Sequence, residues 1–124
     1  KREKNILDFD DIEHLALSVL LRRGADGGVE ATETALEYRS HFAEILIDEY
    51  QDSNLVQEYL LSAISGEAEG NFNRFMVGDV KQSIYKFRLA RPELFMEKYN
   101  TYQGTDGGNT LRIDLHKNYI SPCR

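Results

Sequence analysis

The period of apolar and polar positions changes several times along the chain, and each change marks an element. Ile12, Leu15, Ala16, Val19 and Leu20 follow the i, i+3, i+4, i+7, i+8 spacing of an amphipathic helix. That helix opens on Asp8-Phe9-Asp10-Asp11, where Asp10 as N-cap with Glu13 three residues on resembles a capping box. The acids here serve as caps and dipole partners, and His14 lies off the apolar face, in solvent. Gly24-Ala-Asp-Gly-Gly28 breaks the helix, and residues 29–34 read as a surface loop. A shorter helix is predicted over Thr34 to Phe42, with Ala35, Tyr38 and Phe42 facing inward.

Ile45, Leu46 and Ile47 are an unbroken apolar run, which is how a strand reads when both faces of a parallel sheet are covered. The run stops at two adjacent carboxylates, Asp48 and Glu49. Ser53 is the expected N-cap of a helix that buries Leu55, Val56, Tyr59, Leu60, Ala63 and Ile64 and stops at Gly66. Arg74-Phe-Met-Val-Gly78-Asp79 is then a second buried strand, ending in an acid like the first. Strands joined through one helix are parallel with a right-handed crossover, so Asp79 is expected on the same sheet edge as Asp48 and Glu49. Pro92 opens a further helix through Leu94, Phe95, Lys98, Tyr99 and Tyr102, and Leu111, Ile113 and Leu115 alternate as in a half-buried strand. The pattern predicts an α/β fold with parallel strands, flanking helices and three layers.

Composition narrows the class. A chain of 124 residues with 41% hydrophobic and 29% charged side chains supports one domain, or part of one. No apolar run approaches the roughly 20 residues needed to span a bilayer, so no membrane association is expected. The lone Cys123 cannot form an internal disulfide, and no leader opens the chain, which points to a cytoplasmic location. With no initiating Met at Lys1 and no closing signal at Arg124, the chain reads as a piece of something longer.

The net charge of −6 argues against nucleic acid only if it is taken as a single number. Residues 1–70 hold 16 acidic and 6 basic side chains, whereas residues 71–124 hold 5 acidic and 9 basic. In that second part Arg74, Lys81, Lys86, Arg88 and Arg91 are interrupted by Asp79 alone.

Two stretches carry candidate chemistry. Open α/β sheets bind ligands beyond the carboxyl ends of their strands. An apolar strand delivering Asp48 and Glu49 there has the Walker B arrangement, with one carboxylate for Mg²⁺ and the next for the attacking water of phosphoryl transfer. On these residues alone, a plain strand with an acidic turn is an equally good reading. After the second strand comes Gly78-Asp-Val-Lys-Gln82-Ser-Ile-Tyr85-Lys-Phe87-Arg88. The Gln82 amide can both donate and accept, which suits it to sense a terminal phosphate. Tyr85 and Phe87 alternate with Lys86 and Arg88, interleaving stacking faces with cations as single-strand binding requires. By spacing alone, core aromatics with solvated cations fit slightly better. The acidic edge nearby and the basic second part reverse that preference.

Asp48-Glu-Tyr-Gln-Asp52 and Gly78-Asp79 through Gln82-Ser-Ile-Tyr85 to Phe87-Arg88 resemble motifs II and III of the superfamily-one DNA helicases of the UvrD and Rep kind. Leu7-Asp-Phe-Asp-Asp11 looks like the segment that precedes motif II in those enzymes. Val80-Lys81 before Gln82, and Phe87-Arg-Leu-Ala-Arg-Pro-Glu-Leu-Phe95 after it, are most similar to the AddA family of helicase-nuclease subunits. The resemblance covers residues 5 to 120. It implies a partial RecA-like P-loop NTPase motor domain over residues 1–124, with motif II at 44–52, motif III at 78–88 and the start of motif IV at 115–120. It also implies ATP and Mg²⁺ as cofactors, single-stranded and double-stranded DNA as substrates, a role in double-strand break repair and an AddB-like partner subunit.

By the same resemblance Asp48 would hold Mg²⁺, Glu49 would activate the water and Gln82 would contact the γ-phosphate. Tyr85, Lys86, Phe87 and Arg88 would meet single-stranded DNA, Gln51 and Asp52 would tie the ATP site to its neighbours, and Tyr119 would stack on adenine. Ile120 stands where the family has an Arg, and an apolar group cannot stabilise charge on a transferring phosphoryl. No Gly-x-x-x-x-Gly-Lys-Ser/Thr phosphate loop occurs in these 124 residues, so the isolated chain is expected not to turn over ATP. A UvrD-like helicase without a nuclease, or a non-catalytic interaction module, are the alternatives.

Overall fold

The computed structural model describes residues 6–82, 90–102 and 108–115. Helix α1 covers Phe9–Leu20. Its N-cap is Asp8 rather than Asp10: the Asp8 carboxylate accepts from the Asp11 amide at 2.9 Å, and Asp11 returns the bond to the Asp8 amide at 3.1 Å. This reciprocal pair satisfies two helix-end donors two residues earlier than expected. Asp10 lies inside the first turn, where its carbonyl meets Nδ1 of the exposed His14.

The expected break and loop after α1 is instead a β-hairpin. Strands β1 (Leu21–Arg23) and β2 (Val29–Ala31) pair antiparallel, Leu21 opposite Ala31 and Arg23 opposite Val29. The glycine cluster is its turn. Gly27 takes a φ of 82°, which glycine adopts without a Cβ penalty, and the Gly28 amide donates to Asp26 Oδ1 at 2.8 Å. Each arm has three residues, too few to carry a period that a strand could be read from.

Helix α2 (Glu33–His41) is capped by Thr32. Of its expected inner residues only Ala35 is buried; Tyr38 and Phe42 stack on each other and stay 46% and 37% exposed. Strand β3 (Ile45–Ile47) and strand β4 (Arg74–Met76) pair parallel, Ile45 opposite Arg74 and Ile47 opposite Met76. The expected parallel pairing is therefore present, and it brings the ends of both strands to one edge. The expectation that both faces are covered fails on one of them: Leu46 and Phe75 lie opposite each other in the register and are 70% and 57% exposed.

Helix α3 (Leu55–Ile64) packs against α1 and α2. Its N-cap is Asn54, not Ser53, because Asn54 and Gln57 form the reciprocal capping pair at 2.8 and 3.2 Å. Glu13 of α1 accepts from both of their side chains, at 3.0 and 2.8 Å, and so fastens α1 to the start of α3. Helix α4 (Pro92–Thr101) begins with Pro at its first position, as expected. Residues 110–115 do not form the expected strand; Leu111 makes a lone bridge, while Ile113 and Leu115 are 67% and 85% exposed. It is the polar Arg112 that docks, stacking 4.3 Å over the Tyr99 ring and donating to the Tyr99 carbonyl.

Among the described residues the buried apolar side chains are Ala35, Tyr50, Ala63 and Ala90, beside buried Gln51, Ser53, Asn54, Ser65 and Asn73. Hydrogen bonds thus hold much of this interior, and buried polar groups persist only when their partners are supplied.

Candidate functional site

Strand β3 ends at Ile47, and the chain then makes a turn whose shape decides which side chains face out. Glu49 adopts φ 51° and ψ 38°, the left-handed region, as the one non-glycine residue with positive φ among those described. Such a conformation costs on the order of 1–2 kcal/mol for a residue with a Cβ. It is held by the Tyr50 amide donating to the Val77 carbonyl at 2.9 Å and by a 3-10 turn over Tyr50–Asp52. Asp48, Glu49 and Asp52 are left exposed, while Tyr50 and Gln51 go inside at 1% exposure each. The three acids line an open cleft of ≈ 400 Å³ with Ser53, Gln57 and Leu60.

Gln51 spans the two strand ends. Its Nε2 donates to Glu49 Oε2 at 2.6 Å, and its Oε1 accepts from the Asp79 amide at 3.0 Å. The backbone of the second strand end presses on this amide. A Cβ at Gly78 would lie 2.7 Å from Gln51 Oε1 and 2.8 Å from the Phe95 ring, so the position admits glycine alone without a shift. Asp79 in turn organises the following turn: its Oδ1 accepts from the Lys81 amide at 3.0 Å, its carbonyl from the Gln82 amide at 2.9 Å, and its Oδ2 from Gln82 Nε2 at 3.2 Å.

Behind the edge lies a charged cluster. Arg74, its side chain 3% exposed, contacts Glu58 at 3.1 Å and grips Glu67 through Nε at 2.7 Å and through Nη2. Lys98 of α4 reaches Glu58 at 3.1 Å and sits 5.9 Å over the Tyr50 ring, whose hydroxyl donates to Glu58 Oε2 at 2.5 Å. Burial, then the bond to Glu58, holds the Tyr50 phenol well above its ordinary value. For Glu58 burial works toward protonation, but the Tyr50 bond, Arg74 and Lys98 outweigh it, and its carboxyl stays below the usual range. Burial likewise raises the Tyr102 phenol.

The structure therefore brings Asp48 and Glu49 to one edge and links them, through Gln51 and Asp79, to the turn bearing Gln82. Tyr85, Lys86, Phe87, Arg88 and Tyr119 lie outside the described residues, as does Ile120. Arg74 leaves the basic group in which its sequence position placed it, because Glu58 and Glu67 neutralise it inside the fold. The Tyr50–Glu58 bond and the span made by Gln51 have no periodic signature, since both partners of each meet only through turns. Among the described residues no three metal-ligating side chains converge. Mg²⁺ does not demand such a cage, since it keeps several waters and takes one or two carboxylates plus phosphate oxygens. Asp48, exposed at a strand end and lining the cleft, fits that donor pattern.

The family model described as UvrD/REP helicase N-terminal domain matches residues 1–103. Over 121 residues, 98% of the chain, it is 60% identical to the AddA protein of Lachnoclostridium phytofermentans, an ATP-dependent helicase/nuclease subunit. It is 55% identical to the protein of the same description from Thermoanaerobacter pseudethanolicus and 53% identical to that from Acetivibrio thermocellus, again over 98% of the chain. The aligned region is 9% of the first relative and 10% of the other two, so the chain spans about a tenth of the length of the curated relatives it matches. No helix among the described residues is long and apolar enough to cross a membrane.

Proposed function

The chain belongs to the UvrD/REP helicase N-terminal domain family, and on that premise we propose that it forms part of the ATP-hydrolysing motor of a DNA helicase/nuclease. In this reading the parallel β3–β4 pair is the centre of a RecA-like three-layer P-loop domain, and the whole protein works with an AddB-like partner in recombination and double-strand break repair. The similarity to AddA proteins, described as ATP-dependent helicase/nuclease subunits, favours this over a helicase without a nuclease. The large exposed apolar side chains, Leu46 and Phe75 on the sheet and Ile12, Leu15 and Val19 on α1, suit a chain that packs within a much longer protein.

The observation that carries the reading is the acidic strand edge tied to the Gly78–Gln82 turn. Asp48 would hold Mg²⁺, which when bound neutralises charge on the phosphates. Glu49, with Oε2 occupied by Gln51, offers Oε1 to take a proton from the attacking water. Gln82 would contact the γ-phosphate and Tyr119 the adenine ring. Tyr85, Lys86, Phe87 and Arg88 follow Gln82 by three to six residues in the chain, so a shift of its turn on phosphate loss would reach bound single-stranded DNA. In the full-length protein Glu49→Gln is expected to lower DNA-stimulated ATP hydrolysis by about 10²- to 10⁴-fold and to leave ATP binding in place. Equal loss of binding and turnover would make Glu49 a structural residue.

A further inference from the structure

We propose that Glu13 is a positioning residue that sets the α3 wall of the cleft lined by Asp48 and Glu49. The inference rests on the proposed function and adds to it a role for α1. Glu13 meets partners 41 and 44 positions away: its Oε2 accepts from Asn54 Nδ2 at 3.0 Å and its Oε1 from Gln57 Nε2 at 2.8 Å. The orientation of both amides is chemically fixed. A backbone N–H can only donate, so Asn54 turns its side-chain oxygen to the Gln57 amide at 2.8 Å, and Gln57 turns its own to the Asn54 amide at 3.2 Å. Both NH₂ groups then converge on position 13. A carboxylate, which only accepts, suits the two of them, whereas an amide there would set a donor against a donor. The clamp is placed where the cleft begins. Asn54 stands two residues after Asp52, and Gln57, in the first turn of α3, lines the cleft together with Asp48, Glu49 and Asp52. Leu60 and Leu61 continue the same wall along α3. The acidic turn has a separate support, the Tyr50 amide on the Val77 carbonyl. Glu13 therefore governs how the α3 wall stands against the acids, and with it the fit of a nucleotide bound with Mg²⁺, without touching either carboxylate.

The test uses the full-length protein with ATP, Mg²⁺ and an oligothymidylate. It reads kcat and KM, and by titration with a fluorescent ATP analogue both the affinity and the number of nucleotide sites. Glu13→Gln keeps the shape of the side chain but turns an NH₂ group toward one of the two donors, and Glu13→Ala removes both acceptors. Each should weaken nucleotide affinity by about 10- to 100-fold, as loss of a residue that supports a binding group from behind does. The loss should appear in Kd and KM and not in kcat, with the number of sites unchanged, because the wall contributes to fit and not to the reacting groups. Wild-type affinity in Glu13→Gln would overturn the proposal, since matching an acceptor to each donor would then not matter. Fewer sites at unchanged affinity, or failure of both variants to fold, would overturn it by giving Glu13 a role in the fold alone. A loss of kcat at unchanged affinity would overturn it as well. The wild-type and Glu49→Gln proteins measured alongside separate the two levels. If the wild type binds no nucleotide, or Glu49→Gln still hydrolyses ATP, the proposed function itself falls; if both behave as proposed and the Glu13 variants bind like the wild type, only the clamp does.

Discussion

Two sets of acids, Glu58 with Glu67 and Asp48 with Glu49, meet opposite fates in this fold. Glu58 and Glu67 turn inward, where Arg74, Lys98 and the Tyr50 hydroxyl meet them. Asp48 and Glu49 turn outward onto an open cleft, held by their own backbone and by one glutamine amide. The residue types are the same; the surroundings are not. A carboxylate neutralised by buried cations has spent its chemistry on the fold, and one exposed at a strand end keeps its charge for a ligand. Tyr50 and Gln51 join the two sets, because one short turn sends adjacent side chains into the cluster and onto Glu49.

Breaking the inner set should produce the largest effect on stability. Arg74→Met would leave Glu58 and Glu67 without their main partner in a largely buried site, at a cost of about 3–5 kcal/mol. Hydrogen exchange of the full-length protein should show it as faster exchange at the Val77 and Tyr50 amides, which bond across the strand ends. Unchanged protection there would mean that the inner set does not support the edge.

Tyr50→Phe is a smaller cut of the same kind. It removes one hydrogen bond to a charged acceptor and leaves the ring packed against Phe95, so about 1.5–3 kcal/mol is expected by the same measurement. A cost as large as that of Arg74→Met would place the phenol, rather than the guanidinium, at the centre of the cluster.

The smallest effect is a pH dependence carried by the inner set. The folded-state value of Glu58 is depressed, so its contribution is complete above about pH 4.5 and is lost as pH falls through the folded value. Tyr50 is raised, so its contribution is complete below about pH 10 and declines as pH rises beyond it. In Tyr50→Phe the acid limb should move to higher pH, because one of the groups that depress Glu58 has gone. An acid limb unchanged in Tyr50→Phe would assign that limb to other carboxylates.

Several elements were legible in the sequence alone. The run Ile45–Ile47 ending at Asp48-Glu49, a second strand from Arg74, its parallel pairing with the first and the proline start of α4 all follow from period and punctuation, although that second strand stops at Met76 rather than running on to Asp79. The hairpin at Leu21–Ala31 was not legible, because arms of three residues are too short to show a period. The strand expected at Leu111–Leu115 went the other way: its alternation is real, but Arg112 found a ring and a carbonyl to bind while Ile113 and Leu115 stayed exposed. Caps were misplaced by a residue or two wherever several Asp, Asn or Ser side chains compete, as at Asp8 and Asn54, since the reciprocal partner decides between them.

By itself, then, the sequence determined where an acidic strand end and the turn after the second strand fall and which family the chain resembles, because a motif is local and written in consecutive residues. The tertiary structure decided which of its charges remain available. Arg74 looks like a surface cation until Glu58 and Glu67 close on it, and the neighbours that Gln51 ties together are identified only when Asp79 is brought to its oxygen. Both outcomes depend on residues 7 to 28 positions apart meeting through turns and strand pairing, and no period in the chain encodes such a distance.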